Sequence, residues 1–505
     1  MLGLWFQPIS SIPQACTALL SLVSFFIIFK IFYRLFLSPL SKFPGPKLAA
    51  ATKLYEAYHV LIKNDWLENL IELHETYGPV VRLGPNELHF SDHEACLQHH
   101  NRADLRKCDN YYGLLNTLLG GLALPQAHSD RKSVIQPLFT GSNLATYSST
   151  EMNAQLQTLY EKLTSFSEMK ASPTNLTHIL WAYTNDIMTS YLLGENLGFM
   201  NAPDLIAMHD ATRAFSAIDL ATVLRSMPPL KKLLDVCPSL RKLSPLGWLD
   251  ALAGSHLERI TKGDALGPPE KGHKNVLSQL WRQLGSEEIV IQEAAQAIFI
   301  GNESLMSNLT FLLHHMIQNP DCVTRLRAEI DRSLDVGTYG HQIWRDPKLL
   351  QLPYLDALCR ESTRLSSPAW HRQPRQTSEP VVYSGIVIPP MTSLSFTLHL
   401  LERDPVLYPD PETFKPDRWL GIGPNARKLR NNSVTFGTGT RTCLGQFIAR
   451  HVLRKTLVAI LYNFNVSLWD EKRDRAEGYR YLDTYPKKGH EGYLRVKLTP
   501  RFGEI

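Results

Sequence analysis

A cysteine set in a run of small residues near the C-terminal end most constrains this chain: Phe436-Gly437-Thr438-Gly439-Thr440-Arg441-Thr442-Cys443-Leu444-Gly445. Gly437, Gly439 and Gly445 surround the thiol, so backbone can approach a bulky flat object closely. Arg441 stands just before the cysteine, where its planar fork could hold a carboxylate. Beyond Gly445, Phe447, Ile448, Val452, Leu453 and Leu457 recur at helical spacing. The loop therefore feeds a helix, whose N-terminal dipole favours a nearby thiolate. Taken singly, a cysteine is ordinarily a small buried hydrophobe. With glycines, a guanidinium and an aromatic at these offsets, it suits a proximal haem ligand.

Phe436, Gly439, Arg441, Cys443 and Gly445 match F-x-x-G-x-R-x-C-x-G, and here the chain resembles the cytochromes P450. The resemblance implies that Cys443 is the thiolate on the haem iron, that Arg441 holds a haem propionate and that Phe436 packs beside the sulfur. Gly437 belongs with them among the cofactor-binding residues. The implied fold is mainly helical with small β-sheets, haem lying between a long helix and the cysteine loop. A single transmembrane helix precedes it.

A helix capped by Ser286, with Glu287 and Glu288 in its first turn, is expected to run to about Gln318. Its middle holds Gly301-Asn302-Glu303-Ser304 within an apolar span. A mid-helix glycine costs about 1 kcal/mol relative to alanine, and a buried acid costs more unless it is bonded or protonated. Seen alone, Asn302 and Glu303 read as facing water. The stretch resembles the family's oxygen-activation motif, which implies proton delivery by Glu303 and Ser304. Ile300 stands where Ala or Gly is usual, and Ser304 where Thr is usual; Ile300 would narrow the space over the haem.

Glu361 and Arg364 share one helix face. Such a pair is commonly superficial, but it resembles the family's buried E-x-x-R. Pro411-Glu412-Thr413-Phe414-Lys415-Pro416-Asp417-Arg418-Trp419 resembles its partner segment. The resemblance assigns Glu361, Arg364 and Arg418 to a network supporting the haem loop. It also assigns Arg375, in Gln373-Pro374-Arg375, to a propionate, with Arg372 as a rival. Upstream, His128 and Lys132 precede Pro137-Leu138-Phe139 in the positions of the family's propionate pair, with Arg131 a rival to Lys132. Taken singly, each of these reads as a solvated helix face.

No charged residue occurs between Met1 and Phe29. About Ile9 to Phe32 supplies the roughly 20 apolar residues of a spanning helix. Lys30, Arg34, Lys42 and Lys47 follow it, placing the remainder in the cytosol by the positive-inside rule. A cleaved signal is the other reading, but the segment lacks a basic start and a clear cleavage site. The proline-rich stretch Ser38 to Pro46 then reads as a stiff hinge. The expected organisation is an anchor over 1–37, a hinge over 38–50 and a catalytic domain over 51–505. Strands are expected at Val80–Leu83, Glu87–Phe90, Val381–Tyr383 and Val387–Ile388, and in the tail from Tyr479 to Leu498. Phe199, Met200, Phe215, Leu220 and Val223 could line a substrate pocket or be ordinary core. Ser366 to His371 and the Thr484-Tyr485 loop would edge the same pocket.

The 505 residues alone would suggest about three domains, but no linker divides them after the hinge. The formal charge of +5 is spread without a long basic run, which points away from nucleic acid and toward an acidic redox partner. Seven scattered cysteines fit reduced thiols. No G-x-G-x-x-G opens a helix, and no room for a flavin domain is expected.

The resemblance therefore implies monooxygenation of a small lipophilic substrate by haem b and dioxygen. Electrons would come from NADPH through a separate NADPH-cytochrome P450 reductase, at the endoplasmic reticulum membrane. Lys42-Phe43-Pro44-Gly45-Pro46 and Asn86-Glu87-Leu88-His89 are most similar to fungal microsomal members of terpenoid and polyketide biosynthesis, trichodiene oxygenase among them. Two other readings stand beside this one. A haem-thiolate isomerase or dehydratase would need no dioxygen or reductase, and a non-catalytic haem-binding membrane protein would show no substrate response.

Overall fold

The computed structural model describes residues 11–63, 65–100, 102, 104–108, 111, 119, 122–168, 173–205, 245–262, 276–366, 372–421, 423–472 and 494–502. Five of its helices and one of its sheets position the site. The apolar N-terminal run forms helix α1 (Ser11–Phe32), which continues through a wider turn to Leu37. The segment Cys16–Leu37 has mean hydropathy 2.1 and is wholly unburied. At 1.5 Å per residue it is about 33 Å long, enough to cross a bilayer.

Strands β1 (Val80–Gly84) and β2 (Glu87–Phe90) form the expected hairpin. With β3 (Arg106–Lys107), β5 (Arg375–Gln376) and β8 (Ser393–Phe396) they make a sheet ordered β1-β2-β8-β5-β3. A second hairpin joins β6 (Val381–Tyr383) to β7 (Ile386–Ile388). Ser384 and Gly385 turn it with φ of 47° and 77°, the paired positive angles that match strand twist. The tail contributes β10 (Arg495–Pro500), between β4 (Thr174–Asn175) and β9 (Phe464–Leu468). The rest of the expected tail strands, and the Thr484-Tyr485 loop, lie outside the described residues, as do Phe215, Leu220, Val223 and 367–371.

The proline-rich segment is docked on the first sheet rather than hanging free. Leu40 and Phe43 are buried with Leu88, Phe90, Leu394 and Phe396. Gly45 has φ +152°, and a Cβ there would stand 2.6 Å from the Arg82 carbonyl oxygen; only glycine lets the segment lie this close to β1. The Arg82 amide donates to Pro44 O at 2.7 Å, and its guanidinium donates to Arg34 O at 2.8 Å and Pro85 O at 3.0 Å. The end of α1, the hinge and the sheet are thus joined by backbone-directed bonds.

The helices that carry the site are α2 (Pro125–Ile135), α3 (Leu176–Leu193), α4 (Glu287–Gln318), α5 (Pro353–Ser366) and α6 (Gln446–Asn463). Every residue of α3 is buried, its polar ones included: Thr184, Asn185 and Thr189 each donate to the carbonyl four residues before, which satisfies them inside the core. The 32 residues of α4 span about 48 Å. Ser286 takes the N-cap position with extended backbone, yet its side chain makes no capping bond; the expected cap is therefore positional, and the acids of the first turn face the dipole unaided. Leu305, Leu309, Leu312, Leu358, Ile448 and Val452 share one core that joins α4, α5 and α6. Phe199 and Met200 belong to that core. Their amides donate to the buried Asp186 carboxylate at 2.7 and 3.0 Å, so packing rather than pocket lining is their place.

Candidate active site

The cysteine loop is shaped by its glycines. Gly437 and Gly439 have φ of +73° and +66°, a left-handed backbone that side chains resist. Gly437 N donates to Val434 O at 2.7 Å and Cys443 N to Phe436 O at 2.8 Å, closing the loop on itself. Cys443 then meets the start of α6. Burial pushes its thiol pKa up, opposed first by the Gly445 amide, then by Arg450 and Lys132 and by the Gln446 amide. Although that burial dominates, the side chain is exposed. Cys443 therefore forms part of a wall that solvent can reach.

Basic groups converge beside this wall. Lys132 on α2 donates from Nζ to Thr440 O at 2.7 Å. Arg441 donates to Leu122 O at 2.8 Å and Ala123 O at 3.2 Å. Lys107 on β3 pairs across the sheet with Arg375 on β5. Desolvation, then Arg375 and Arg441, hold the Lys107 pKa well below the ordinary lysine range. His128 is pushed down to about 3 by burial and by Arg441, Lys107, Lys132 and Arg375. The charges named as acting on His128, those of Arg441, Lys107, Lys132 and Arg375, are all cations. Mutually repelling cations brought together in low dielectric call for anions, and the propionates of a haem are anions of the right kind. The donor set fits that cofactor: an accessible thiol, a glycine-lined approach, and cations to one side.

This arrangement separates the rivals. Arg131 faces away and pairs with buried Glu293 of α4 at 2.8 Å. The same Glu293 oxygen accepts the Leu119 amide at 2.8 Å. Arg372 is held by Glu56 at 2.6 and 2.7 Å and by Glu87. Lys132 and Arg375 are the residues brought to the cluster. Lys107 escaped sequence reasoning because a two-residue strand has no periodicity to read; only its register beside Arg375 brings it in.

Glu361 and Arg364 are completely buried, not a superficial pair. Arg364 donates to both Glu361 oxygens at 2.9 Å. Arg418 Nε, Trp419 Nε1 and the Lys415 amide donate to the same carboxylate at 3.0, 2.8 and 2.9 Å. The remaining Arg364 arm donates to Glu402 O at 2.8 Å. The Glu402 carboxylate accepts from Tyr408 Oη at 2.7 Å, from Val434 N and from Ser433 Oγ. Glu402 thus carries the network to the first residues of the cysteine loop. It was not singled out from sequence, where an acid between Leu401 and Arg403 resembles any solvated charge.

On α4, the motif residues divide by face. Gly301 meets α3, where an added Cβ would stand 2.8 Å from Met188 Sδ. Asn302 is buried and accepts from Thr184 Oγ1, contrary to a water-facing reading. Ile300, Glu303 and Ser304 share the other side by helical spacing; Ile300 is 53% exposed and Glu303 is half-buried. Ser304 Oγ donates to Ile300 O.

Comparison with known proteins follows the same lines. The family model for cytochrome P450 matches residues 54–479. The cytochrome P450 monooxygenase sdnE of Sordaria araneosa is 27% identical, covering 97% of this chain and 98% of its own. The tryptophan 6-hydroxylase fscE of Fusarium equiseti is 28% identical over 92% and 93%. The conidiogenone synthase of Penicillium rubens is 26% identical over 93% and 96%. The match over most of the chain, together with the thiol loop and the buried Glu361–Arg364 pair, means that this protein is a member of the cytochrome P450 family of monooxygenases.

Proposed function

We propose that this enzyme oxygenates a small lipophilic metabolite of a fungal biosynthetic pathway, at the cytosolic face of the endoplasmic reticulum. The observation that carries the reading is the accessible Cys443 thiol beside a cluster of cations, Lys107, Lys132, Arg375 and Arg441, gathered around His128. Bound there, haem b supplies oxygen activation with thiolate support. Cys443 ligates the iron, with Phe436 and Gly437 beside it. Arg375, Arg441, His128 and Lys132, joined by Lys107, hold the propionates. His128, kept neutral, donates a single N–H. Glu303 and Ser304 manage protons: Ser304 Oγ gives its hydrogen to Ile300 O and so presents lone pairs that accept a proton passed on by Glu303. The exposed Ile300 side chain restricts how a substrate approaches. Glu361, Arg364 and Arg418 hold the loop in place.

Electrons come from an NADPH-dependent reductase. The helix Pro424–Asn432, just before the cysteine loop, exposes Arg427 and Lys428, a basic approach for an acidic partner. Helix α1 anchors the chain. The relatives' names include a tryptophan hydroxylase and a conidiogenone synthase at nearly equal identity, so identity alone does not separate substrate classes. The lipophilic assignment rests on the exposed Ile300 side chain of α4 and on the anchor.

The test is the reduced carbon monoxide difference spectrum, followed by turnover with reductase and NADPH over terpenoid, polyketide and amino-acid scaffolds. A strongly red-shifted Soret band that disappears in Cys443→Ala, with NADPH-dependent oxygenation of a lipophilic scaffold, is expected. Turnover without NADPH would move the enzyme to the isomerase class, and a well-folded protein without the band would remove the thiolate assignment.

A further inference from the structure

On the side of the cysteine loop facing α5 lies a cavity of about 100 Å³, lined by Phe436, Gly437, Thr442, Gln446 and Arg450 on one side and by Asp356, Arg360 and Arg430 among others. Its charges are unevenly paired. Asp356 accepts from Arg360 at 2.6 Å and also from Arg454. Arg430 donates to Trp419 O at 2.8 Å and Gly421 O at 3.0 Å. The Arg450 guanidinium rests instead on two ring faces, 5.3 Å from the centroid of Phe436 and 5.7 Å from that of Phe447. Both rings flank Cys443 in sequence. A guanidinium is weakly hydrated and stays charged at any working pH, so stacked aromatic faces can hold it without a carboxylate. Among the described residues, the acid acting on Arg450 is Asp356, and it is already paired with Arg360 and Arg454, so three guanidinium groups share one carboxylate and a positive field is left beside the loop.

We propose that Arg450 is an electrostatic tuning residue: a fixed cation behind the aromatic wall of Cys443 that raises the reduction potential of the cysteine-bound haem and so favours the first electron from the reductase. The proposal rests on the reading of Cys443 as the haem ligand. One-electron reduction adds a negative charge to a centre that already bears a thiolate, and a cation held nearby stabilises the more negative state. The same charge draws electron density from sulfur and weakens its donation to iron. Arg450 would act through Cys443 and not as a ligand itself.

The experiment uses the purified holoenzyme and compares Arg450→Leu, Arg450→Gln and Arg450→Lys with the parent. Mediated redox titration measures the ferric–ferrous potential, and infrared spectroscopy measures the C–O stretch of the ferrous carbon monoxide complex. Loss of the cation is expected to lower the potential in the Leu and Gln variants and to lower the C–O stretch with it. Arg450→Lys is expected to stay near the parent in both. Unchanged potentials in Leu and Gln variants that keep the red-shifted band would overturn the proposal. A Lys variant displaced as far as Gln would assign the effect to packing and overturn it equally. If the Leu variant fails to load haem, the Gln and Lys pair decides. A parent protein without the red-shifted band would instead mark failure of the haem-thiolate reading itself.

Discussion

Glu402 carries a carboxyl group into the protein interior, where burial raises its pKa to about 7 against the opposing bonds from Tyr408 and Val434 N, the charge of Arg364, and Ser433. Its folded-state pKa therefore lies above the ordinary glutamate value. Between the two values the folded protein binds the proton and the unfolded chain does not, so stability falls as pH rises across that window and levels off above it. Thermal unfolding followed from about pH 5 to about pH 8 should show a decline that Glu402→Gln flattens; equal slopes in both proteins would mean that Glu402 does not titrate there. Glu361 poses the opposite problem, since it is the acceptor for two buried guanidinium groups. Truncation in Glu361→Ala leaves Arg364 and Arg418 uncompensated, which costs about 3–5 kcal/mol. Expressed protein should show little bound haem by its Soret absorbance, and normal loading would detach this network from the loop.

At the level of elements, the packing of α4 on α3 depends on Gly301. Replacing it with alanine gains about 1 kcal/mol of helix propensity and displaces only the flexible end of Met188. The two effects nearly cancel, so Gly301→Ala should change thermal stability little. A branched side chain cannot be absorbed by moving one thioether: Gly301→Val should cost about 1–3 kcal/mol by overpacking. Differential scanning calorimetry of both variants checks this, and equal losses would show that α3 itself, rather than Met188, blocks the position. Element boundaries were well anticipated where the signal was local, as for β2 and β6, whose ends coincide with the alternation and turn residues that define them. The Ser286 cap was not, because whether a serine reaches back to the first amides depends on the backbone that leads into it.

Over the whole molecule, the chain preceding the first strand divides at Ser38. Before it, Cys16–Leu37 form an unburied apolar helix, whereas Leu40 and Phe43 belong to the core under the sheet. Deleting residues 1–37 should release the protein from membranes while leaving the carbon monoxide spectrum intact. Deleting through Thr52 removes those side chains and the Gly45 contact with β1, and each buried aromatic or leucine lost costs about 2–5 kcal/mol; this form should aggregate or lose haem. Membrane flotation and the spectrum together test both truncations. Similar behaviour of the two would mean that the proline-rich segment is a linker after all.

Local order along the chain was sufficient for the thiol loop, the long helix and its motif, the Glu361–Arg364 spacing and the apolar N-terminal helix, because each depends on residues a few positions apart. What lies beyond depended on distant segments meeting. Lys107 reaches Arg375 only through sheet register. Arg131 and Lys132 are neighbours in sequence but point to α4 and to the cysteine loop respectively. Asn302 is buried because α3 lies against it. Composition and spacing name the groups that can do chemistry; which of them face one another is settled by packing, since burial and pairing are properties of the folded surroundings.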